Sequence, residues 1–244
     1  MDGRPVVLVT GAARRIGAMI ARTLHAAGCD LALHCRRSRA ELDGLVADLE
    51  RMRPGSTLAL QAELAEVERL PGLVDAVVRR FGRLDGLVNN ASAFHPTPLG
   101  TITPAQWDEL FAANARAPLF LAQAAAPHLA ARRGAIVNLI DIYAERPLVH
   151  HSVYGMAKAA LAMATRSLAL ELAPDVRVNG VAPGAVLWPE AGKPLDEREA
   201  LVARTPLRRM GTPEDVASAV LWLLRDAAFV TGEILRVDGG RSLT

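Results

Sequence analysis

The stretch V-V-L-V-T-G-A-A-R-R-I-G at residues 6–17 decides the fold. Its first four residues form a β-branched apolar run, which is typical of a strand that is buried on both faces. A glycine turn follows, and apolar residues then recur at helical spacing from Ile16 to Leu24, as far as Gly28. Because the N–H groups and the dipole at a helix start favour negative charge, a strand, a glycine turn and a helix in this order predict a pyrophosphate site.

Strand and helix patterns alternate along the rest of the chain. Further apolar strands are predicted at residues 31–33, 57–61, 84–88, 135–140, 176–181 and 234–237. In the long helical segment 103–133, Pro118 and Pro127 are the expected sites of a kink or a new turn. Residues 183–211, which are rich in proline and charge, are predicted to form a substrate loop over the site. The pattern predicts an α/β fold that spans residues 1–244 as a single domain, a doubly wound (Rossmann) seven-stranded parallel sheet with helices on both faces.

Composition and charge exclude several classes of protein. The net charge of +2 over 244 residues is too small to indicate a nucleic-acid partner. No apolar run reaches the length of a membrane span, and the N-terminal segment is too short and strand-like for a signal peptide. The two cysteines, Cys29 and Cys35, lack metal-ligand spacing, so we expect incidental thiols, no bound metal and a cytoplasmic location.

Polar residues and glycines collect where the predicted strands end. The glycine turn follows the first strand, Asn89 follows the fourth, Asp141 the fifth and Gly184 the sixth. In doubly wound sheets, ligands bind at the carboxyl ends of the strands. We therefore expect these residues to share one site.

The residues after the second strand bear on the choice of cofactor. An NAD-binding protein of this kind carries an acidic residue there for the ribose 2′-hydroxyl. This chain has H-C-R-R-S at residues 34–38, without an acid. The guanidinium groups of Arg36 and Arg37 with the hydroxyl of Ser38 suit a 2′-phosphate, which predicts NADPH rather than NADH. The alternative is that the two arginines belong to a solvated turn. Ser38 also has capping-box spacing to Glu41.

Tyr154 and Lys158 lie one helical turn apart, and Asp141 precedes them in the sequence. A phenol has a reference pKa of about 10, so it is a poor proton shuttle at neutral pH unless its anion is stabilised. A lysine at i+4 lies on the same helix face and can stabilise that anion. The pair suggests acid–base chemistry by a tuned tyrosine, and the alternative is an ordinary amphipathic helix start.

Several short motifs stand in a fixed order along the chain, namely Thr10-Gly11 with Gly17, Asn89-Asn90-Ala91, Asn114, Tyr154-x-x-x-Lys158, Asn179, Pro183-Gly184 and Val237-Asp238-Gly239-Gly240. In these motifs the chain resembles the short-chain dehydrogenase/reductase family over essentially its whole length. The resemblance implies hydride transfer from a nicotinamide with Tyr154 as the proton donor. It also implies that Lys158 holds the nicotinamide ribose and depresses the tyrosine pKa, and that Asn114 fixes a proton-relay water.

Three positions depart from the general family pattern and resemble the pteridine reductases within it. Arg15 replaces the middle glycine of the turn, Asp141 replaces a serine, and Ser92 replaces the glycine that follows Ala91. By this resemblance Phe94 stacks on the pterin, Arg15 reaches the cofactor phosphates and the substrate, and Ser92 lines the pocket.

The carboxyl group at position 141 fits the chemistry of a pterin. Hydride adds to a ring carbon of a C=N bond, and the neighbouring nitrogen needs a proton. Asp141 can donate or relay that proton, or accept hydrogen bonds from the pterin. If it is ionised, it raises the pKa of Tyr154 and opposes Lys158, so we expect a coupled site. The alternative for Asp141 is a structural carboxylate satisfied by backbone N–H groups.

The predicted activity is NADPH-dependent reduction of a pterin of the dihydrobiopterin, dihydromonapterin or dihydrofolate type. One alternative is a carbonyl reductase of the same fold, acting on a 3-oxoacyl thioester or on a sugar or steroid ketone. Another is a non-catalytic NADP-sensing regulator, for which intact Asn114, Tyr154 and Lys158 would have little use.

The predicted catalytic residues are Asp141, Tyr154, Lys158 and Asn114. The predicted cofactor-binding residues are Gly11, Arg14, Arg15, Ile16, Gly17, His34, Arg36, Arg37, Ser38, Glu63, Asn90, Ala91, Tyr154, Lys158 and Gly184. The predicted substrate-binding residues are Arg15, Ser92, Phe94, Asp141, Tyr154 and Trp188. Core packing is the alternative for Phe94, a plain loop anchor for Trp188, and surface exposure for His150 and His151. By resemblance we expect a homotetramer in which the alanine face of residues 157–164 meets its counterpart, unless that face packs on its own sheet.

Overall fold

The structure is a computed structural model that describes residues 3–187 and 194–244. Within these residues seven strands form one sheet: β1 (Val6–Val9), β2 (Asp30–Cys35), β3 (Thr57–Gln61), β4 (Gly86–Asn89), β5 (Ala135–Leu139), β6 (Arg177–Pro183) and β7 (Ile234–Val237). The strand order is β3-β2-β1-β4-β5-β6-β7, and all neighbouring strands pair in parallel. The order reverses between β1 and β4, which is where doubly wound sheets open a crevice for ligands.

The helices are α1 (Arg15–Ala26), α2 (Arg39–Met52), α3 (Leu70–Phe81), α4 (Pro104–Phe111), α5 (Ala117–Ala130), α6 (Ser152–Glu171), α7 (Leu195–Ala203) and α8 (Pro213–Arg225). A π-helical turn, Ala112–Arg116, joins α4 to α5. Pro118 follows closely on this turn, and the backbone stays helical through Arg116 and Ala117, so the proline lies at a change of helical pitch rather than at a break.

Helices cover both faces of the sheet. Val7 and Val9 of β1 face one apolar core with residues of α1, α2 and α8. Val6 and Leu8 face the other, with residues of α3 and α5. Successive strand residues point to opposite faces, so a strand apolar at every position fills both cores. The predicted fold class is confirmed.

Two local expectations were wrong. The segment expected to be an irregular loop contains α7, whose Leu, Glu, Arg and Ala residues are good helix formers. Ser38 stands before α2, but its side chain makes no capping hydrogen bond. Capping boxes are instead present at Thr103 with Gln106 and at Thr212 with Asp215. No helix among the described residues is both long and apolar enough to cross a membrane.

Candidate active site

The glycine turn after β1 is tied to the turn after β4. The Thr10 hydroxyl oxygen accepts hydrogen bonds from the N–H groups of Asn90 (2.9 Å) and Ala91 (3.0 Å). The Asn90 amide donates to the carbonyls of Thr10 and Gly11, both at 2.9 Å. The motifs at residues 10–11 and 89–91 therefore act first as a brace between two neighbouring strands.

Gly17 lets α1 approach this turn closely. A Cβ at position 17 would lie 2.1 Å from the Gly11 carbonyl oxygen and 2.5 Å from the Asn90 Nδ2. Gly11 itself has a φ of +62°, which glycine adopts without strain. The start of α1 can thus face a ligand with bare backbone N–H groups.

Arg15 occupies the left-handed region with a φ of +55°. For a residue with a Cβ this conformation costs roughly 1–2 kcal/mol. The glycine of the general pattern would avoid that cost, so the arginine side chain is retained at the expense of local strain. Such strain is concentrated at functional sites.

A cleft of about 930 Å³ opens over these turns. Most of the predicted cofactor-binding residues line it: Gly11, Arg14, Arg15, Ile16, Gly17, His34, Arg36, Arg37, Ser38, Glu63, Asn90 and Ala91. Arg36 and Arg37 are exposed at one end, and the Arg36 guanidinium lies 3.7 Å from the Glu63 carboxylate. Ser92 lines the other end. This donor set, with several arginines and a helix start, fits the phosphates of a dinucleotide.

His34 has a different position from the one expected of a phosphate ligand. It is fully buried, its Nδ1 accepts from the Gly11 N–H at 3.3 Å, and its Nε2 donates to the Ala62 carbonyl at 3.1 Å. Burial lowers the pKa of this imidazole, so the neutral form is favoured. Both ring nitrogens are used by the backbone, which makes His34 a support of the glycine turn.

Gly184 also has a structural task. Its N–H donates to the Val237 carbonyl at 3.0 Å, and a Cβ would lie 2.7 Å from the Cβ of Asp238. A glycine is needed there so that the ends of β6 and β7 can meet. Trp188 lies outside the described residues.

Asp141, Tyr154 and Lys158 meet beyond the Ser92 end of the cleft. The Tyr154 hydroxyl donates to Asp141 Oδ2 at 2.7 Å, and the Tyr143 N–H donates to Asp141 Oδ1 at 3.0 Å. Lys158 is buried, and its ammonium group donates to the Leu139 carbonyl at 2.8 Å. The ammonium nitrogen lies 5.8 Å from the centre of the Tyr154 ring.

Burial raises the pKa values of Asp141 and Tyr154 and lowers that of Lys158. Loss of hydration raises the pKa of Asp141, while hydrogen bonds from Tyr143 and Tyr154 and the Lys158 charge oppose the rise. Burial, followed by the charge of Asp141, raises the pKa of Tyr154 well above 10. Burial lowers the pKa of Lys158 to about 8. The expected rise in the Tyr154 pKa caused by Asp141 is thus present, but the expected low tyrosine pKa is not found in this arrangement.

Asn114 lies fully buried in the π-helical turn. Its Nδ2 donates to the carbonyls of Ala93 (2.8 Å) and Leu110 (3.0 Å), and its Oδ1 accepts from the Ser92 hydroxyl at 2.7 Å. The side chain therefore joins α4 to the loop after β4, which brings that loop to the catalytic end of the cleft.

Phe94 stands beside Tyr154 with 55% of its surface exposed. The two rings are nearly perpendicular, with centroids 4.8 Å apart. The imidazole of His151 stacks on Phe94 at 4.6 Å and 16°. Its Nδ1 donates to the Val149 carbonyl at 2.9 Å, which fixes the ring. With one face covered by His151, the exposed part of Phe94 is available to a flat ligand.

The sequence analysis gave His151 too little weight and did not predict Arg116. Arg116 lines the cleft from the π-helical turn, and Asp108 and Glu109 line it from α4. The only sequence signal for His151 is its position three residues before Tyr154. Nothing in the spacing of residues 108–116 indicates that they face the cleft. Within residues 3–187 and 194–244, no group of three or more His, Cys, Asp and Glu side chains could hold a metal ion.

Comparison with known proteins agrees with this geometry. A family model described as enoyl-(acyl carrier protein) reductase matches residues 11–242. Pteridine reductase 1 of Leishmania tarentolae is 40% identical over 98% of this chain and 97% of its own length. The chain belongs to the short-chain dehydrogenase/reductase family. It is therefore related to oxidoreductases that use a nicotinamide cofactor.

Other members of the family with similar sequences have different names. L-xylulose reductase of Caenorhabditis elegans is 36% identical over 97% of this chain and 95% of its own length. The 3beta-hydroxysteroid dehydrogenase 1 of Eggerthella lenta is 34% identical over 100% of this chain and 95% of its own length. The family match thus covers residues 11–242, and the names of its members differ in their substrates.

Proposed function

We propose that this protein is an NADPH-dependent reductase of pterins of the dihydrobiopterin, dihydromonapterin or dihydrofolate type. The observation that carries the proposal is the 2.7 Å hydrogen bond from the Tyr154 hydroxyl to Asp141, directly beside the exposed ring of Phe94. A carboxyl group next to the tyrosine suits protonation of a ring nitrogen. An exposed aromatic ring suits a flat heteroaromatic substrate. The similarity to a pteridine reductase supports the same substrate class.

NADPH would be held along the cleft by its phosphates and its ribose. The start of α1 and the side chains of Arg14 and Arg15 suit the pyrophosphate. Arg37 and Ser38 suit the 2′-phosphate. When bound, this cofactor supplies two electrons as a hydride. Lys158, whose ammonium group is anchored on the Leu139 carbonyl, would hold the nicotinamide ribose.

The proton comes from the pair of Tyr154 and Asp141. Tyr154 holds its proton at neutral pH because its pKa is raised, and its hydrogen bond to Asp141 couples the carboxyl group to the transfer of that proton to a substrate nitrogen. The Tyr143 N–H keeps the carboxyl group in place during that transfer. A hydrogen bond shared by two titrating groups makes their titration a property of the pair.

The alternative is a carbonyl reductase, acting on a 3-oxoacyl thioester or on a sugar or steroid ketone. The relatives named L-xylulose reductase and 3beta-hydroxysteroid dehydrogenase 1 favour it. Against it stand Asp141, which takes the place of a serine hydroxyl that would donate to a ketone oxygen, and the exposed ring of Phe94. A non-catalytic NADP sensor is disfavoured by the assembled Tyr154 and Lys158.

The test is NADPH oxidation by the purified protein against a panel of oxidised pterin, dihydropterins, quinonoid dihydropterin, dihydrofolate and an acetoacetyl thioester. We expect turnover of at least one dihydropterin and none of the thioester. Asp141→Ala should lose pterin reduction and keep NADPH binding, measured by the fluorescence of the bound cofactor. If Asp141→Ala remains fully active on a pterin, the mechanism proposed above is wrong. Reduction of the thioester alone would establish the alternative.

The proposal includes a homotetramer in the cytoplasm. Of the alanine face, Ala157 is buried within its own subunit, while Ala160 and Ala164 are partly exposed. Met156, Met163 and Leu170 are instead exposed at seven-residue spacing along α6, with 50%, 60% and 84% of their surface accessible. A stripe of this period suits helix packing between subunits. The cytoplasmic location rests on the two unpaired cysteines, Cys29 and Cys35.

A further inference from the structure

Two neighbouring residues in front of α6, His150 and His151, depart from ordinary backbone preferences. His150 has a φ of +62°, in the left-handed region that a residue with a Cβ enters at a cost. His151 is the N-cap of α6, a position that favours Ser, Thr, Asp or Asn, yet its side chain makes no capping hydrogen bond. Unfavourable local conformations of this kind persist where the surrounding structure requires them, and they cluster at functional sites.

The side chain of His151 lies on Phe94 instead of capping the helix. The two rings stack at a centroid distance of 4.6 Å, with 16° between their planes. The imidazole is held against rotation, because its Nδ1–H donates to the Val149 carbonyl at 2.9 Å. A carbonyl oxygen only accepts, so the hydrogen bond also requires a proton on Nδ1. His151 therefore presents a fixed, flat surface to the Phe94 ring.

The left-handed turn at His150 joins the two loops that carry the stacked rings. The His150 carbonyl accepts a hydrogen bond from the N–H of Thr97 at 2.5 Å, and Thr97 is fully buried. Thr97 follows Phe94 by three residues, and His151 comes directly after the turn. The loop after β4 is therefore held to the segment before α6 by a backbone hydrogen bond as well as by the ring stack.

Phe94 is a side chain for which such support matters. It is 55% exposed, and its second ring contact is the nearly perpendicular Tyr154 at 4.8 Å. A half-exposed phenylalanine on a loop has several rotamers open to it and loses conformational entropy when a ligand fixes its ring. Because His151 already fixes that ring, a flat ligand can stack on it without this cost.

We propose that His151 is a positioning residue for the substrate: its imidazole holds the Phe94 ring in the plane on which a flat substrate stacks. The turn at residues 150–151 keeps the imidazole there in place of a helix cap. His151 acts through Phe94 and takes no part in the transfer of hydride or proton. It therefore strengthens substrate binding and leaves the chemical step unchanged. The inference rests on the flat substrate of the proposed function.

Binding of oxidised pterin to the complex with NADP⁺, followed by quenching of the pterin fluorescence, tests the proposal without turnover. His151→Ser should raise the Kd about 2- to 10-fold, as expected when one aromatic pair is lost. His151→Phe, which keeps a flat ring, should stay within about twofold of the wild type. His150→Asn is the matched control, since His150 is exposed and asparagine tolerates the left-handed region. An unchanged Kd in His151→Ser, or an equal loss in His151→Phe, would overturn the proposal.

The same variants separate positioning from a merely structural role. Serine is a better N-cap than histidine, so His151→Ser should keep its Tm within about 3 °C of the wild type although the stack is lost. In steady-state kinetics the substrate KM should rise, while kcat and the KM for NADPH stay within about twofold of the wild type. A fall in Tm of about 10 °C or more, together with a loss of kcat and of NADPH binding, would overturn the proposal. His151 would then hold the fold rather than the substrate.

Proton NMR of the histidine rings tests the stack in the absence of any substrate. A phenyl ring shifts the protons of an imidazole stacked on it upfield. The His151 signals, identified by their absence in His151→Ser, should therefore move downfield in Phe94→Leu. Signals that do not move would overturn the inference even if the protein reduces pterins.

The inference and the proposed function fail in different ways. A protein that reduces nothing in the substrate panel would refute the proposed function, and the pterin Kd of the wild type and of His151→Ser would still decide about His151. A wild type that binds no pterin in its complex with NADP⁺ would overturn both.

Discussion

At the scale of single residues, Lys158 illustrates how burial changes a familiar group. Its ammonium is enclosed by α6 and the end of β5 and has the Leu139 carbonyl as a hydrogen-bond partner. The pKa falls from 10.5 to about 8 because the charged form loses its hydration. Below pH 8 the lysine is charged in both the folded and the unfolded protein, and the folded state bears the desolvation cost.

We therefore predict that Lys158→Met changes the pH dependence of stability. Between about pH 8 and 10.5 the unfolded lysine keeps its proton while the folded lysine has lost it, so the wild type gains stability as the pH rises. The gain relative to Lys158→Met should reach about 3 kcal/mol over this range. Urea unfolding of both cofactor-free proteins at a series of pH values measures it. A difference that does not change with pH would show that Lys158 titrates normally.

Arg37 carries the prediction on cofactor choice. It is exposed at the cleft end, whereas the neighbouring Arg36 lies near Glu63. Arg37→Ala should raise the KM for NADPH about tenfold and leave the KM for NADH unchanged, because only the former has a 2′-phosphate. Arg39→Ala is the matched control, since Arg39 pairs with Asp43 on the outside of α2. An unaltered preference in Arg37→Ala would place the 2′-phosphate elsewhere.

At the scale of elements, the contact between α1 and the first turn depends on a missing side chain. A Cβ at Gly17 would come within 2.1 Å of the Gly11 carbonyl oxygen, so α1 would have to move away from the cleft. The brace formed by Thr10 and Asn90 holds the opposite wall in place. The helix start and the two turns therefore form one unit.

Two glycine variants test this unit. Gly17→Ala should destabilise the protein by roughly 1–3 kcal/mol or more and weaken NADPH binding. Gly44→Ala, in the middle of α2, should stabilise it by about 0.5–1 kcal/mol, because nothing lies within 4 Å of its Cβ position. Thermal unfolding and cofactor fluorescence measure both effects. Equal behaviour of the two variants would contradict a close approach at Gly17.

At the scale of the whole molecule, the exposed stripe on α6 leads to a prediction about assembly. Met163→Glu should shift the protein from a tetramer to smaller species in light scattering, because a charge would be buried in the subunit contact. Met52→Glu is the control, since Met52 is 68% exposed at the end of α2 and lies outside the stripe. A wild type that is monomeric at micromolar concentration would remove the tetramer from the proposal.

Prediction from the sequence was most successful where the signal is local. Three strands illustrate it: β1, β3 and β7 lie where apolar runs placed them. The helix α7 was not predicted, because the segment has little apolar periodicity and many charged residues, which favour a loop. Its residues are nevertheless good helix formers. The π-helical turn has no sequence signal, since it depends on how Asn114 is held by Ala93 and Leu110.

The sequence by itself determined the doubly wound sheet, the glycine turn and the grouping of Asp141, Tyr154 and Lys158, because periodicity and short motifs act between neighbours in the chain. Only the tertiary structure decided what each group does there. In the folded protein His34 supports the glycine turn, and Ser92 bonds to Asn114, 22 residues away in the sequence. Burial and Asp141 raise the tyrosine pKa that the motif was expected to depress. Burial and hydrogen bonding depend on which distant segments meet, and a spacing along the chain does not contain that information.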